Sequence, residues 1–191
     1  NGKEAVPDSI NPLNPDGVID ELEKWINNYC SDDRLESTLG ESDVYGYYGS
    51  RKSELRLLLY TYESHLENDE EDIQFYVEDV VNNKDDRFSI EHVWPQTPKE
   101  GFDDETKELV KQHTNRLGNL ALMTPEDNSV KGNGPFEEKK ADYSSSKIRM
   151  LENIFGMNEW GVEQIDEREQ EIIQVIKNRW PDRYKDSVFD Y

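Results

Sequence analysis

The sequence predicts an α+β fold that is mostly helical, and three observations predict it. Apolar residues recur at three-to-four spacing across Gly17–Tyr29, Ser53–Leu66 and Val162–Trp180, the period of amphipathic helices. Between them lie short segments of strand length, Ile73–Val77, Phe88–Ile90 and Leu120–Met123. Turn residues, not repeats, separate these elements, and 191 residues suffice for one domain with a real core.

Asn1–Asp16 holds three prolines and little apolar content, which reads as an extended lead-in or linker. Val18, Ile19, Leu22, Trp25, Ile26 and Tyr29 then share one helical face. Ser31–Ser50 mixes acids and serines with the run Val44-Tyr45-Gly46-Tyr47-Tyr48-Gly49. Such a run has the chemistry to stack nucleic-acid bases, but loop packing is the preferred reading. Ser53–Leu66 is a helix with Leu55, Leu58, Leu59, Tyr62 and Leu66 on its buried stripe, and His65 is a charged helix-end residue.

Ile73, Phe75 and Val77 alternate with polar or amphipathic neighbours as in a strand, and 82–86 makes a turn. Phe88-Ser89-Ile90 is a second strand that delivers Glu91 and His92 at its end, where Pro95 stops it. Asp104–His113 starts with acids and ends with bases, as a helix dipole prefers. Leu120–Met123 is the third strand, and Thr124-Pro125-Glu126-Asp127 opens a helix that places Asn128 and Lys131 one turn apart. Two closing helices are predicted, Ser146–Phe155 and Val162–Trp180, the latter with Ile165, Ile172, Val175, Ile176 and Trp180 inward. The expected organisation is a lead-in at 1–16, an N-terminal helical flank at 17–83, a core at 84–149 and C-terminal helices at 150–191, forming one compact domain.

Forty-three acids against 22 bases give a net charge of −21, the wrong sign for a protein that grips phosphates. The excess is uneven. Residues 1–83 hold 20 acids and 6 bases (−14), 84–149 hold 13 and 11 (−2), and 150–191 hold 10 and 5 (−5). Within 111–149 the balance reverses, 7 bases to 5 acids (+2). Salt adaptation, a halophilic-like acidic surface, is preferred over an acidic DNA mimic, which has no need of the catalytic residues described next. The single cysteine, Cys30, excludes an internal disulfide and a four-cysteine zinc clamp. No apolar run is long enough to cross a bilayer and no signal-peptide pattern opens the chain, so a cytoplasmic setting is expected. The start at Asn1 rather than Met is expected of the C-terminal part of a longer protein.

The stretch 87–140 carries the chemistry. Glu91-His92-Val93-Trp94-Pro95-Gln96 is followed by Leu117-Gly118-Asn119-Leu120, then Asn128-Ser129-Val130-Lys131-Gly132-Asn133, and then Lys139-Lys140 with Tyr143. This order resembles the HNH, or His-Me finger, nuclease motif. In detail it is similar to the C-terminal nuclease domain of GmrSD-type restriction enzymes, also found in SspE-like restriction effectors. The resemblance implies a small ββα-metal finger embedded between the N- and C-terminal helices. It implies a divalent-metal-dependent DNA endonuclease in antiviral defence, with Mg2+ expected and Mn2+ or Ni2+ as alternatives. DNA, including modified phage DNA, is the expected partner, together with an N-terminal domain that senses modification and hydrolyses nucleotide. One finger has one active centre, so nicking is expected. The alternative is a non-catalytic, acidic interaction module that keeps the finger as scaffold.

Within that frame His92 is the general base, since a histidine titrating near neutrality is suited to taking a proton from water. The resemblance places metal ligands at Glu91 and Asn128. Alternation along a strand points Glu91 and His92 apart, so they cannot share one role. Asp127 competes with Asn128 because its charge would hold a metal better, but adjacent helix residues diverge by about 100° and the motif selects Asn128. Asn119, grouped with His92 in the catalytic set, braces the loop between the strands, and Gly118 supplies turn freedom. Arg116, Lys131, Lys139, Lys140 and Lys147, with Arg149, are the candidate phosphate contacts. His113 has the chemistry of a helper acid for the leaving group, although a solvated helix residue is the simpler reading.

Overall fold

The computed structural model describes residues 31–67, 87–124 and 133–179. The expected helix at Gly17–Tyr29, the strand at 73–77 and the segment holding Asp127, Asn128 and Lys131 lie outside the described residues.

The chain enters on two short helices, α1 (Asp32–Leu39) and α2 (Val44–Tyr48). Loop was expected here, and the caps explain the difference. Ser31 Oγ accepts from the Arg34 amide at 3.3 Å and Asp43 Oδ1 from the Gly46 amide at 2.9 Å, each closing a first turn too short to show a hydrophobic period. Gly49, at φ 42°, ends α2 in the left-handed region that glycine tolerates. The long helix α3 (Lys52–Glu67) follows, then strand β1 (Ser89–His92) and helix α4 (Asp104–His113). A 3-10 turn, Leu117–Asn119, leads into β2 (Leu120–Met123). Helix α5 (Phe136–Tyr143), which was not expected, precedes α6 (Arg149–Phe155) and α7 (Val162–Arg179).

β1 and β2 pair antiparallel with His92 opposite Leu120 and Ser89 opposite Met123. Among the described residues the fold is thus mostly helical with a small two-stranded sheet, as the α+β expectation has it. All four residues of β2 are buried, which is why that strand reads as a continuous apolar run rather than an alternation. Helices α3 and α6 pack on β2, and α3 packs along α7. Leu55, Leu59, Ile165, Ile172 and Ile176 are all fully buried, each contributing about 1.5–3 kcal/mol.

Three features of this core were not read from the sequence. Gly118 does not have positive φ; the described glycines that do are Gly49 and Gly101. A Cβ at Gly118 would stand 2.0 Å from the Ile165 carbonyl oxygen, so glycine is required there by close approach of the 3-10 turn to α7, not by turn freedom. Arg168 sits on the apolar stripe of α7 between Ile165 and Ile172 and is buried. Its Nη1 donates to the carbonyls of Gly118 at 2.7 Å and Leu120 at 2.6 Å, pinning the turn that precedes β2. Glu63, one turn from Leu59 on α3, is also buried, and its carboxylate accepts from the amides of Arg149 (2.5 Å) and Met150 (2.9 Å), capping α6. No helix among the described residues is long and apolar enough to cross a membrane.

Candidate active site

Glu91 and His92 close β1 and turn to opposite sides of it. Glu91 faces α5. Its Oε1 accepts from Lys139 Nζ at 2.8 Å and from Tyr143 hydroxyl at 3.0 Å, two residues one helical turn apart, and all three side chains are buried. Lys139 Nζ also donates to the His92 carbonyl at 2.6 Å, so a single ammonium fastens the side chain of one residue and the backbone of the next. Tyr143 is held protonated by burial first and by the Glu91 charge second.

His92 faces α2. The Tyr45 ring meets it edge-on with centroids 4.5 Å apart, and the Lys52 ammonium lies 3.2 Å from the centroid of Tyr45. Asn115 Nδ2 donates to Asp43 Oδ1 at 2.7 Å, its Oδ1 accepts from Gln96 Nε2 at 3.1 Å, and its carbonyl accepts from the Tyr45 amide at 3.0 Å, which fixes α2 against the end of α4. His92 Nε2 is buried and has no hydrogen-bond partner among the described residues. Burial, outweighing the attraction of Glu91, pushes the imidazole pKa down to about 4, so His92 is neutral at physiological pH.

That neutrality has a consequence for stability. An unfolded histidine takes its proton near 6.5, the folded one near 4. The unfolded chain therefore binds the proton first as pH falls, and the His92 contribution to stability is complete above about 6.5 and is lost progressively down to about 4, by on the order of 3 kcal/mol. Thermal melts of the wild type and His92→Gln across that window should show the wild type losing more stability on acidification. Parallel curves would contradict the buried neutral ring.

Asn119 joins the two halves of the site. It is fully buried, its Oδ1 accepts from the Trp94 amide (2.8 Å) and Trp160 Nε1 (3.1 Å), and its Nδ2 donates to the carbonyls of Trp94 (2.9 Å) and Thr114 (2.8 Å). The Val93 amide donates to its carbonyl at 3.0 Å. Every hydrogen-bonding atom of the side chain is engaged in tying the turn after His92 to the 3-10 turn before β2.

The predicted cations are distributed differently from a phosphate-facing cluster. Lys139 lies inside, on Glu91. Arg116 is largely buried, bound to Asp166 and Glu169 and with Nη1 3.1 Å from His113 Nδ1. Lys140 donates to the Met157 carbonyl at 2.5 Å, whereas Lys147 and Arg149 are exposed. His113 is half-buried, its pKa lowered by burial and by Arg116, at the edge of a cleft of about 640 Å3 that Asp43, Asn115 and Arg116 also line. Asp43, Tyr45 and Asn115 escaped the sequence reading because nothing in local periodicity joins positions some seventy residues apart.

Among the described residues no three His, Cys, Asp or Glu side chains are grouped to hold a metal. The Glu91 carboxylate offers oxygen of the type a hard cation takes, at the end of the strand that carries the neutral His92. Lys139 already occupies its Oε1, so a cation must share that carboxylate.

With this geometry in view, comparison with family models matches residues 29–175 to the GmrSD restriction endonucleases, C-terminal domain. The chain belongs to this family. Among curated proteins none matches the chain. Membership points this GmrSD C-terminal domain to a nuclease function of the restriction-endonuclease type, with DNA as substrate. The match spans α1 to most of α7, so the helices that pack against the sheet belong to the family domain as much as the His92 strand does.

Proposed function

We propose that this GmrSD C-terminal domain is a divalent-metal-dependent endonuclease of the HNH, His-Me finger type, nicking DNA with His92 as general base. The observation that carries the proposal is the state of His92 at the end of β1, buried and neutral, with an Nε2 that has no hydrogen-bond partner among the described residues. A water placed at Nε2 gives up its proton as its oxygen attacks phosphorus, and the proton stays on the imidazole while the 3′ oxygen departs. Asn119 keeps the 93–94 turn, and with it the end of β1, in place.

Glu91 and Asn128 are the oxygen donors that would hold the cation, Mg2+ in the cell with Mn2+ or Ni2+ as substitutes, and Asp127 is the competing ligand. When bound, the cation supplies neutralisation of charge on the phosphoryl and leaving oxygens. Lys147 and Arg149, exposed beyond α5, are the remaining described candidates for DNA phosphates, and Lys131 is a further candidate from the sequence. The setting would be cytoplasmic restriction of invading, including modified, DNA, with an N-terminal modification-sensing, nucleotide-hydrolysing domain choosing the target.

Calorimetric titration with Mn2+ tests the ligands. Binding to the wild type is expected to weaken at least tenfold in Glu91→Gln and in Asn128→Ala, with folding checked by circular dichroism. Unchanged heats in both variants would remove these residues from the metal site, and a loss confined to Asp127→Ala would move the ligand there.

A further inference from the structure

Helix α2 has a second side that the chemistry at His92 leaves unused. It is five residues long, and Tyr45, which walls His92, is followed by Tyr47 and Tyr48. Tyr47 is 57% exposed, among the few large apolar side chains that the described surface presents to solvent. Its ring meets that of Tyr48 edge-on at 5.4 Å, and the Arg51 guanidinium lies 5.5 Å from the centroid of each. These groups line a cleft of about 370 Å3 that Arg34 and Glu54 also border and that Leu58 floors.

We propose that the cleft of Tyr47, Tyr48, Arg51 and Arg34 is a stacking subsite for an unstacked nucleobase of the DNA strand presented to His92. Aromatic faces with an interleaved guanidinium are the surface that unpaired bases use, because every base offers a π face and the cation attracts the adjoining phosphate. Arg34 and Arg51 stand against one glutamate, Glu54, which Arg51 meets at 3.1 Å, so the cleft has a lining of net positive charge in a chain of net charge −21. Its volume is that of a small-molecule pocket. Tyr45 and Tyr47 are two residues apart on one helix and so diverge by about 200° around it, which places the cleft across α2 from His92, a helix width of about 10 Å or roughly three nucleotides at about 3.4 Å each. A paired, stacked base has no free face to offer, so the subsite favours single-stranded, frayed or locally opened DNA.

The inference rests on the nuclease reading and deepens it, and two assays keep their failures apart. Fluorescence anisotropy in the presence of a chelator, with the full chain, compares a labelled single-stranded oligonucleotide with the blunt duplex of the same sequence. Tighter binding of the single strand is expected, with a loss of roughly tenfold in Tyr47→Ala, retention in Tyr47→Trp, and a loss in Arg51→Gln, which keeps both rings. Tyr47 is exposed, so its variants should melt with the wild type. Tyr47→Ala binding within twofold of wild type, or the single strand bound no better than the duplex, would overturn the subsite. Plasmid cleavage by the wild type is scored separately: cleavage with unaltered Tyr47→Ala binding removes the subsite alone, whereas oligonucleotide binding that depends on Tyr47 without any cleavage removes the catalytic reading and keeps the subsite.

Discussion

His92→Ala is expected to lower the rate of metal-dependent plasmid nicking by about 10²–10⁴-fold, the range that a positioned general base supplies. The loss should fall on the chemical step and not on DNA affinity, because the ring is buried and its Nε2 has no hydrogen-bond partner among the described residues. The wild-type rate should also hold level well below the pH at which an ordinary histidine is half protonated, since burial pushes this imidazole down to about 4. Single-turnover rates between pH 5 and 8 measure both. A wild-type rate that falls away near pH 6.5, or a His92→Ala variant that nicks at near-wild-type rate, would contradict the assignment.

The second large effect belongs to Asn119. Replacing it by Ala removes four side-chain hydrogen bonds at a fully buried position and strands the Trp94 amide and the Thr114 carbonyl. At about 1 kcal/mol for each bond, and more for each group left unsatisfied, the expected cost is on the order of 4 kcal/mol. In a chain of this size that lowers the melting temperature by roughly 10 °C. Asn119→Asp keeps the acceptor but loses both Nδ2 donations and buries a charge, so it should not rescue. Nicking should fall with stability in both variants, because the turn that fixes the end of β1 is slackened. Denaturation by heat and urea checks the size, and a loss under 1 kcal/mol would show that the network is dispensable.

Much of the scaffold was legible because its physics is local. The helix Asp104–His113 and the strand Leu120–Met123 stand at the bounds expected, one marked by its charge order and the other by an apolar run. The pair Glu91–His92 was legible from motif order and from the strand that delivers it. Other parts were hidden for identifiable reasons. Helix α5 keeps a helical period in Phe136, Lys139 and Tyr143, but one of its three inward residues is a lysine, which no hydrophobic count includes. Lys139 was read as a surface cation for the same reason, and the structure spends its charge on Glu91. Arg168 and Glu63 stand in register with the apolar stripes of α7 and α3, and a charge in such a register is the signal that would have found them. The support of His92 by Asp43, Tyr45 and Asn115 has no local signal, since it depends on a helix from the N-terminal flank meeting the end of α4.

Conversion of supercoiled plasmid by the wild-type chain, followed with Mg2+ or Mn2+ and with excess chelator, tests the central claim most directly. The expected result is accumulation of open-circular DNA before any linear product, dependent on the metal and absent in the chelated control and in His92→Ala. Plasmid that stays supercoiled at every metal concentration, or that is cut equally in chelator, would contradict a metal-dependent nuclease built on His92.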